Sequence, residues 1–205
     1  MRKDTKASSE MRFFYHTFAI GTIGFLLSDD GLKEMDITDL NSDLTREEKF
    51  DVSSKPAWEK IGKEITSNEE GKYPVIVQII DEFTSYFSGK LKKFSLPLAP
   101  EGTVFQKSVW NALIDIPYGE AISYQQLAMN IANPKAMRAV GSANGKNPLP
   151  IIIPCHRVIQ ANQTLGGYSG GLPTKIALLK LEGFSLIVGK SAVKVVQGQS
   201  DLNLE

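Results

Sequence analysis

Ser123-Tyr124-Gln125-Gln126-Leu127-Ala128-Met129-Asn130-Ile131-Ala132-Asn133-Pro134-Lys135-Ala136-Met137-Arg138-Ala139-Val140-Gly141-Ser142-Ala143 reads as two short helices joined by a tight turn. Ser123 is a good N-cap for a helix through about Ile131. Asn133-Pro134 offers a second start, with Asn as cap and Pro at the first helical position. That second helix runs to about Ala143, and Gly145 is available to close it. The whole is a helix-turn-helix pattern.

Working outward, Phe105, Val109, Trp110, Leu113 and Ile114 form a helical stripe that ends at Pro117-Tyr118-Gly119. Leu149–Val158 is apolar and β-branched, which predicts an extended buried segment. Leu165–Leu172 is a glycine-rich loop, and Pro173–Glu182 predicts a helix stopped at Gly183. Toward the N-terminus, residues 11–40 read as an antiparallel meander turning at Asp29-Asp30-Gly31. A short helix is predicted near Trp58–Ile65, and an amphipathic helix over Pro74–Phe87. Pro97, Pro100 and Gly102 mark a boundary near residue 100. The expected fold is α+β in two domains. Residues 1–100 form an antiparallel-sheet domain with helix, residues 101–188 a mostly helical domain, and residues 189–205 a flexible tail.

The 205 residues are 42% hydrophobic and 22% charged, ordinary for a globular protein. No apolar run approaches a membrane span, and Met1-Arg2-Lys3-Asp4-Thr5-Lys6 lacks the apolar core of a signal peptide. One cysteine cannot form an internal disulfide, which suits a reducing, cytoplasmic setting, or the nucleus of a eukaryotic host. A structural zinc site needs about four ligands, and Cys155 with His16 and His156 does not supply them, so no metal is expected. The net charge is zero, but Ala121–Leu181 holds no Asp or Glu while Lys135, Arg138, Lys146, Arg157, Lys175 and Lys180 lie within it. Such segregation suits a surface facing a polyanion. A buried segment would lack acids too.

Cys155 sits in Ile153-Pro154-Cys155-His156-Arg157-Val158. A lone cysteine can be a small buried hydrophobe or a nucleophile. Here it closes an apolar run, Pro154 fixes the backbone before it, and the cationic neighbours His156 and Arg157 can favour a thiolate. Those facts alone leave both readings open.

The motif resembles the active-site signature of the O6-alkylguanine-DNA alkyltransferases (methylated-DNA–protein-cysteine methyltransferases). Gly102-Thr103-x-Phe105-Gln106, Ile116-Pro117-Tyr118-Gly119, Ser123-Tyr124-x-x-Leu127-Ala128, Arg138-Ala139-Val140-Gly141, Asn147-Pro148, Tyr168-Ser169-Gly170-Gly171 and Lys180-Leu181-Glu182-Gly183 follow in the family's order. The resemblance implies a ribonuclease H-like first domain and a winged-helix-like second one. It implies stoichiometric transfer of an alkyl group from O6-alkylguanine, or O4-alkylthymine, in double-stranded DNA to Cys155, with no cofactor. Cys155 would be activated through water by His156 and Glu182. Tyr124, Val158, Tyr168 and Ser169 would hold the flipped base, and Asn147 would brace the turn beneath it. Arg138 would fill the gap in the stack, with Gln125, Asn133 and Ala136 on the DNA, docked in the minor groove by a monomer.

The N-terminal region matches that family loosely and lacks the zinc-binding Cys and His pairs of some members. Two other functions fit the same residues. One is a damage-recognition module that transfers nothing. The other is a thiol hydrolase using Cys155 and His156, which an extended segment disfavours because neighbouring side chains would point opposite ways.

Overall fold

The structure, a computed structural model, describes residues 10–18, 21–38, 63–65, 72–188 and 193–196. The predicted meander is present as β1 (Arg12–Phe18), β2 (Gly21–Ser28) and β3 (Gly31–Thr38), each antiparallel to the next. Alternation decides the two faces. Phe14, Phe18, Ile23, Phe25 and Leu27 turn inward, while Phe13 and Leu26 form a small cluster on the opposite face. Helix α1 (Pro74–Phe87) lays Ile76, Ile79, Phe83 and Tyr86 on the inner face, as its apolar spacing predicts. Phe25 stacks on Phe14 at 4.8 Å and meets Phe83 edge-on at 5.3 Å.

The described end of one expected helix is a strand. Within the predicted helix Trp58–Ile65, Lys63–Glu64 form β4, parallel to Arg12–Phe13, with Ile65 N–H donating to Phe13 at 2.8 Å. Residues 58–62 lie outside the described residues. The free edge of β1 offers unpaired backbone groups, and satisfying them outweighs a weak local helical preference.

The second half begins at α2 (Val104–Ile114), closed by a capping box in which Thr103 and Gln106 satisfy each other's backbone. β5 (Ile122–Ser123) leads into α3 (Tyr124–Asn130), capped by the Ser123 hydroxyl on Gln126 N–H. Ala132 takes the left-handed conformation (φ 53) that closes the helix, a place glycine usually fills. α4 spans Met137–Gly145 and so starts three residues later than Asn133-Pro134 predicts. Ala136 N–H bonds back to Asn133 O at 3.0 Å, so Asn-Pro opens a turn rather than a helix. Trp110 Nε1 donates to Ala143 O at 3.0 Å, tying α2 to α4. A short β6 (Val158–Ile159) pairs parallel with β5, and α5 (Leu172–Leu181) follows the glycine-rich loop. β7 (Ser185–Val188) and β8 (Val193–Val196) form a hairpin, so part of the expected tail is a strand. Val195 packs with Ile159, Leu165, Leu179 and Phe184, and that burial holds it.

The two halves share one continuous core, running from Phe14 and Phe25 through Trp110 and Val140 to Leu178. Backbone bonds also cross between them. Leu32 N–H donates to Pro97 O, Ala99 N–H to Leu32 O, and Met35 N–H to Pro148 O, each at 2.8 Å. Gly31, at φ +130, permits the first of these, because a Cβ there would lie 2.5 Å from Pro97 O. Gly31→Ala should therefore cost roughly 1–3 kcal/mol of unfolding free energy. Urea titration checks it, and unchanged stability would remove this glycine from the account.

Candidate active site

The segment expected to be extended is instead a compact knot. Ile151 is left-handed (φ 74), Ile153 N–H bonds back to Leu149 O at 2.9 Å, and Cys155–Arg157 make one 3-10 turn. Apolar composition gave no warning, because a buried turn and a buried strand share it. Asn147 supplies the polar framework that a buried turn requires. Its Nδ2 donates to Ile153 O at 2.7 Å and to Cys155 Sγ at 3.1 Å, and its Oδ1 accepts from Leu149 N–H at 3.0 Å.

Cys155 is 1% exposed. Burial pushes its thiol above the ordinary range, and the Asn147 bond, the Lys175 charge and Tyr168 oppose this in part. The thiol therefore rests protonated and needs a base. The cation acting on it is Lys175, not Arg157. Lys175 is fully buried, with Nζ donating to Val158 O and Leu165 O at 2.6 Å each, and burial lowers its pKa to about 8.

Arg157 serves a different group. Its Nε donates to Glu182 Oε2 at 2.9 Å, Nη2 to Glu182 Oε1 at 2.8 Å, and Nη1 to Ile116 O at 2.6 Å. Glu182 sits at the C-terminal end of α5, buried. Burial alone would raise its pKa, but His156 and Arg157 outweigh that and hold it at about 2. His156, fully buried, faces the same carboxylate with Nε2 2.9 Å from Oε1. A carboxylate only accepts, so Nε2 carries the proton and Nδ1 is left as an acceptor. Nδ1 is buried with no protein partner. Burial lowers the His156 pKa despite Glu182, so the ring is neutral near pH 7.

The thiol opens on a cavity of about 200 Å³ walled by Tyr124, Tyr168 and Ser169, with Gly141, Asn144 and Gly145 of α4 on one side and Gly167 on the other. Typical small-molecule sites run to roughly 300–1,000 Å³, so this one suits a group no larger than a single flat base. A Cβ at Gly141 would rest 3.8 Å from the Tyr124 ring, and Gly166 is left-handed (φ 66) across the same ring. The Tyr168 hydroxyl is buried with no partner of good hydrogen-bond geometry. Its pKa is raised well above the ordinary range by burial first and the nearby Cys155 second. Val158 is buried beside the cavity, outside its lining, with its carbonyl engaged by Lys175.

Gln125, Asn133 and Arg138 are exposed on α3, the turn and α4, and Ala136 is half-buried. Of the six cations in the acid-free stretch, Arg157 and Lys175 are internal, so the exposed positive charge is Lys135, Arg138, Lys146 and Lys180. The sequence reasoning missed Tyr86, whose hydroxyl donates to Glu182 Oε1 at 2.7 Å. It also missed the burial of Lys175. The signal for Tyr86 was available, because it sits on the apolar stripe of the amphipathic helix α1, whereas α5 has no such stripe to mark Lys175. Among the described residues no group of three or more His, Cys, Asp or Glu could hold a metal, and no helix is long and apolar enough to cross a membrane.

Residues 104–184 match the family described as 6-O-methylguanine DNA methyltransferase, DNA binding domain. A methylated-DNA–protein-cysteine methyltransferase of Methanosarcina acetivorans is 63% identical over 102 residues, which are 50% of this chain and 65% of that protein. The chain thus spans slightly under two thirds of that relative. A Haemophilus influenzae protein of the same description is 41% identical over 174 residues, covering 84% of this chain and 88% of its own. A crystal structure of Mycobacterium tuberculosis OGT in complex with DNA superposes with a TM-score of 0.67 at 34% identity, covering 83% of this chain and 92% of that one. By these matches, within which the buried cysteine, the neutral histidine and the paired glutamate lie, the chain belongs to the methylated-DNA–protein-cysteine methyltransferase family.

Proposed function

We propose that this protein repairs DNA by moving an alkyl group from O6-alkylguanine, or O4-alkylthymine, onto Cys155, one transfer per molecule and without a cofactor. The observation that carries this reading is a protonated, buried thiol opening on a cavity the size of one flat base, walled in part by α3 and by α4, the helix that carries exposed Arg138. A base inside a duplex cannot reach such a cavity, so it is flipped out at a cost of a few kcal/mol. Arg138 fills the vacated stack, while Gln125, Asn133 and Ala136 meet the backbone in the minor groove. Tyr124, Tyr168, Ser169 and the backbone at Val158 hold the base.

The proton on Cys155 Sγ passes through a water to His156 Nδ1, the free acceptor. Glu182 holds the resulting imidazolium, in the logic of nucleophile, base and orienting acid. The Sγ–C bond forms as the C–O6 bond breaks, and the electron pair goes to the guanine, which Tyr124 steadies by donating to it. A thioether is not reversed by the same groups, so the site is spent. Asn147 braces the turn throughout. The protein works as a monomer in the cytoplasm, or the nucleus of a eukaryotic host. Its two halves follow ribonuclease H-like and winged-helix-like plans, a reading supported by the three-stranded meander with α1 and by the α3–α4 pair next to a small sheet.

Incubated with O6-methylguanine DNA, the protein should gain the mass of one CH2 on Cys155, and Cys155→Ala should gain none yet still bind DNA. A wild-type protein that binds without gaining mass would mark a damage-recognition module instead. Arg138→Ala should slow repair of duplex DNA by roughly tenfold or more, about 1.4 kcal/mol, while reaction with free O6-benzylguanine stays near wild type. Equal losses on both substrates would strip Arg138 of the finger role.

Glu182→Gln should leave a buried guanidinium unpaired and cost about 3–5 kcal/mol. Because Glu182 is held at about 2 in the fold, against an ordinary 4.5, its stabilisation is complete above the ordinary value and is lost as pH falls through about 2. Denaturant titrations between pH 6 and 3 should thus show wild type losing more stability on acidification than Glu182→Gln. Parallel losses would place the acid sensitivity elsewhere.

A further inference from the structure

The proposed relay uses Cys155, His156 and Glu182, all from the second half of the chain, and gives Tyr86 of α1 no task. Tyr86 is fully buried, and its hydroxyl donates to Glu182 Oε1, the oxygen that also faces His156 Nε2 and Arg157 Nη2. We propose that Tyr86 is a positioning residue for alkyl transfer: by occupying Glu182 Oε1 it limits how tightly Glu182 holds the His156 imidazole, and so sets the basicity of Nδ1. The inference rests on the relay reading above, and it makes the N-terminal half part of the reacting machinery.

Burial first, and then Glu182, push the Tyr86 hydroxyl well above the ordinary range, so it stays protonated and donates. An oxygen offers two lone pairs, yet three donors converge on Oε1 within 2.7–2.9 Å. Withdrawing one donor strengthens the others. The Arg157 fork is anchored independently by Ile116 O and by Oε2, so the His156 bond has the most to gain. The remaining groups around the carboxylate are Gly119 N–H at 3.4 Å and the Tyr118 ring, whose own hydroxyl is taken by Leu181 O. Around His156, Arg157 and Lys175 act against protonation; Arg157 shares Glu182 Oε1 with Tyr86, whereas Lys175 bonds only to the Val158 and Leu165 carbonyls. A tighter Glu182–His156 bond favours imidazolium, which raises the pH below which the base is lost. The Tyr86 ring packs on Phe87, Phe94 and Tyr118 at 5.3–6.1 Å, contacts that phenylalanine preserves.

The test is the single-turnover rate of transfer from O6-methylguanine duplex DNA as a function of pH, for wild type, Tyr86→Phe, and protein carrying 3-fluorotyrosine at position 86. Tyr86→Phe should move the acid limb up by about half to one pH unit and so slow transfer roughly three- to tenfold at pH values on that limb, below its midpoint. The fluorinated ring, a stronger donor that retains the hydroxyl, should move the limb down, and it answers the question even where Tyr86→Phe folds poorly. Acid limbs that coincide in all three proteins, whatever happens to stability, would reduce Tyr86 to packing and overturn the inference. A wild type that transfers nothing would instead overturn the relay on which it stands.

Discussion

The buried Glu182 carboxylate is the constraint around which the site is assembled. Taking a carboxylate out of water costs several kcal/mol unless donors replace what water gave. Here they come from α1, from the loop after α2, and from the 3-10 turn that carries Cys155: Tyr86, Gly119, His156 and Arg157. Each bond fixes one segment relative to the end of α5. The two halves of the chain are consequently held together by a polar cluster as well as by the aliphatic and aromatic core around it. A charge so placed cannot be lost without orphaning Arg157, which is why geometry at the cysteine and stability of the fold are hard to separate.

Much of the architecture was legible where a local rule and the tertiary demand agree. The stripe Ile76, Ile79, Phe83 gives α1, Thr103 with Gln106 gives the start of α2, and Ser123 gives the start of α3. Cys155, His156 and Glu182 were legible through a motif. What escaped depends on partners far away in sequence. Lys63–Glu64 is a strand because β1 has a free edge, and Val193–Val196 is one because Phe184 and Leu179 need a cover. The knot escaped because the turn before Cys155 is braced from outside by one side chain, Asn147, while residues 149–154 are themselves apolar. Asn133-Pro134 misled in a smaller way, since the same dipeptide suits a helix start or a turn.

Charge shows how a count along the chain differs from a surface. Six cations and no acid between residues 121 and 181 suggested a face for a polyanion. Two of them are internal and act on the site: Arg157 binds Glu182, and Lys175 lies close enough to favour a Cys155 thiolate. Among the described residues Lys175 bonds to two carbonyls and to no carboxylate, which is why burial depresses its pKa to about 8. Its charge is costly in the resting protein and becomes compensated only when negative charge develops on sulfur.

That imbalance agrees with the states of the other groups. Burial keeps the thiol protonated and the imidazole neutral, so at rest the pair carries no charge. Proton transfer would create a thiolate facing Lys175 and an imidazolium facing Glu182, each opposite a counter-charge already fixed in place. Fixed charges of that kind stabilise a developing charge without reorganising, which is how preorganised sites lower a barrier. Before substrate arrives, the same arrangement leaves the cysteine a buried and poor nucleophile. For a reagent that would be consumed by one reaction, suppression of the thiolate until a base occupies the cavity protects the only thiol in the chain from adventitious electrophiles.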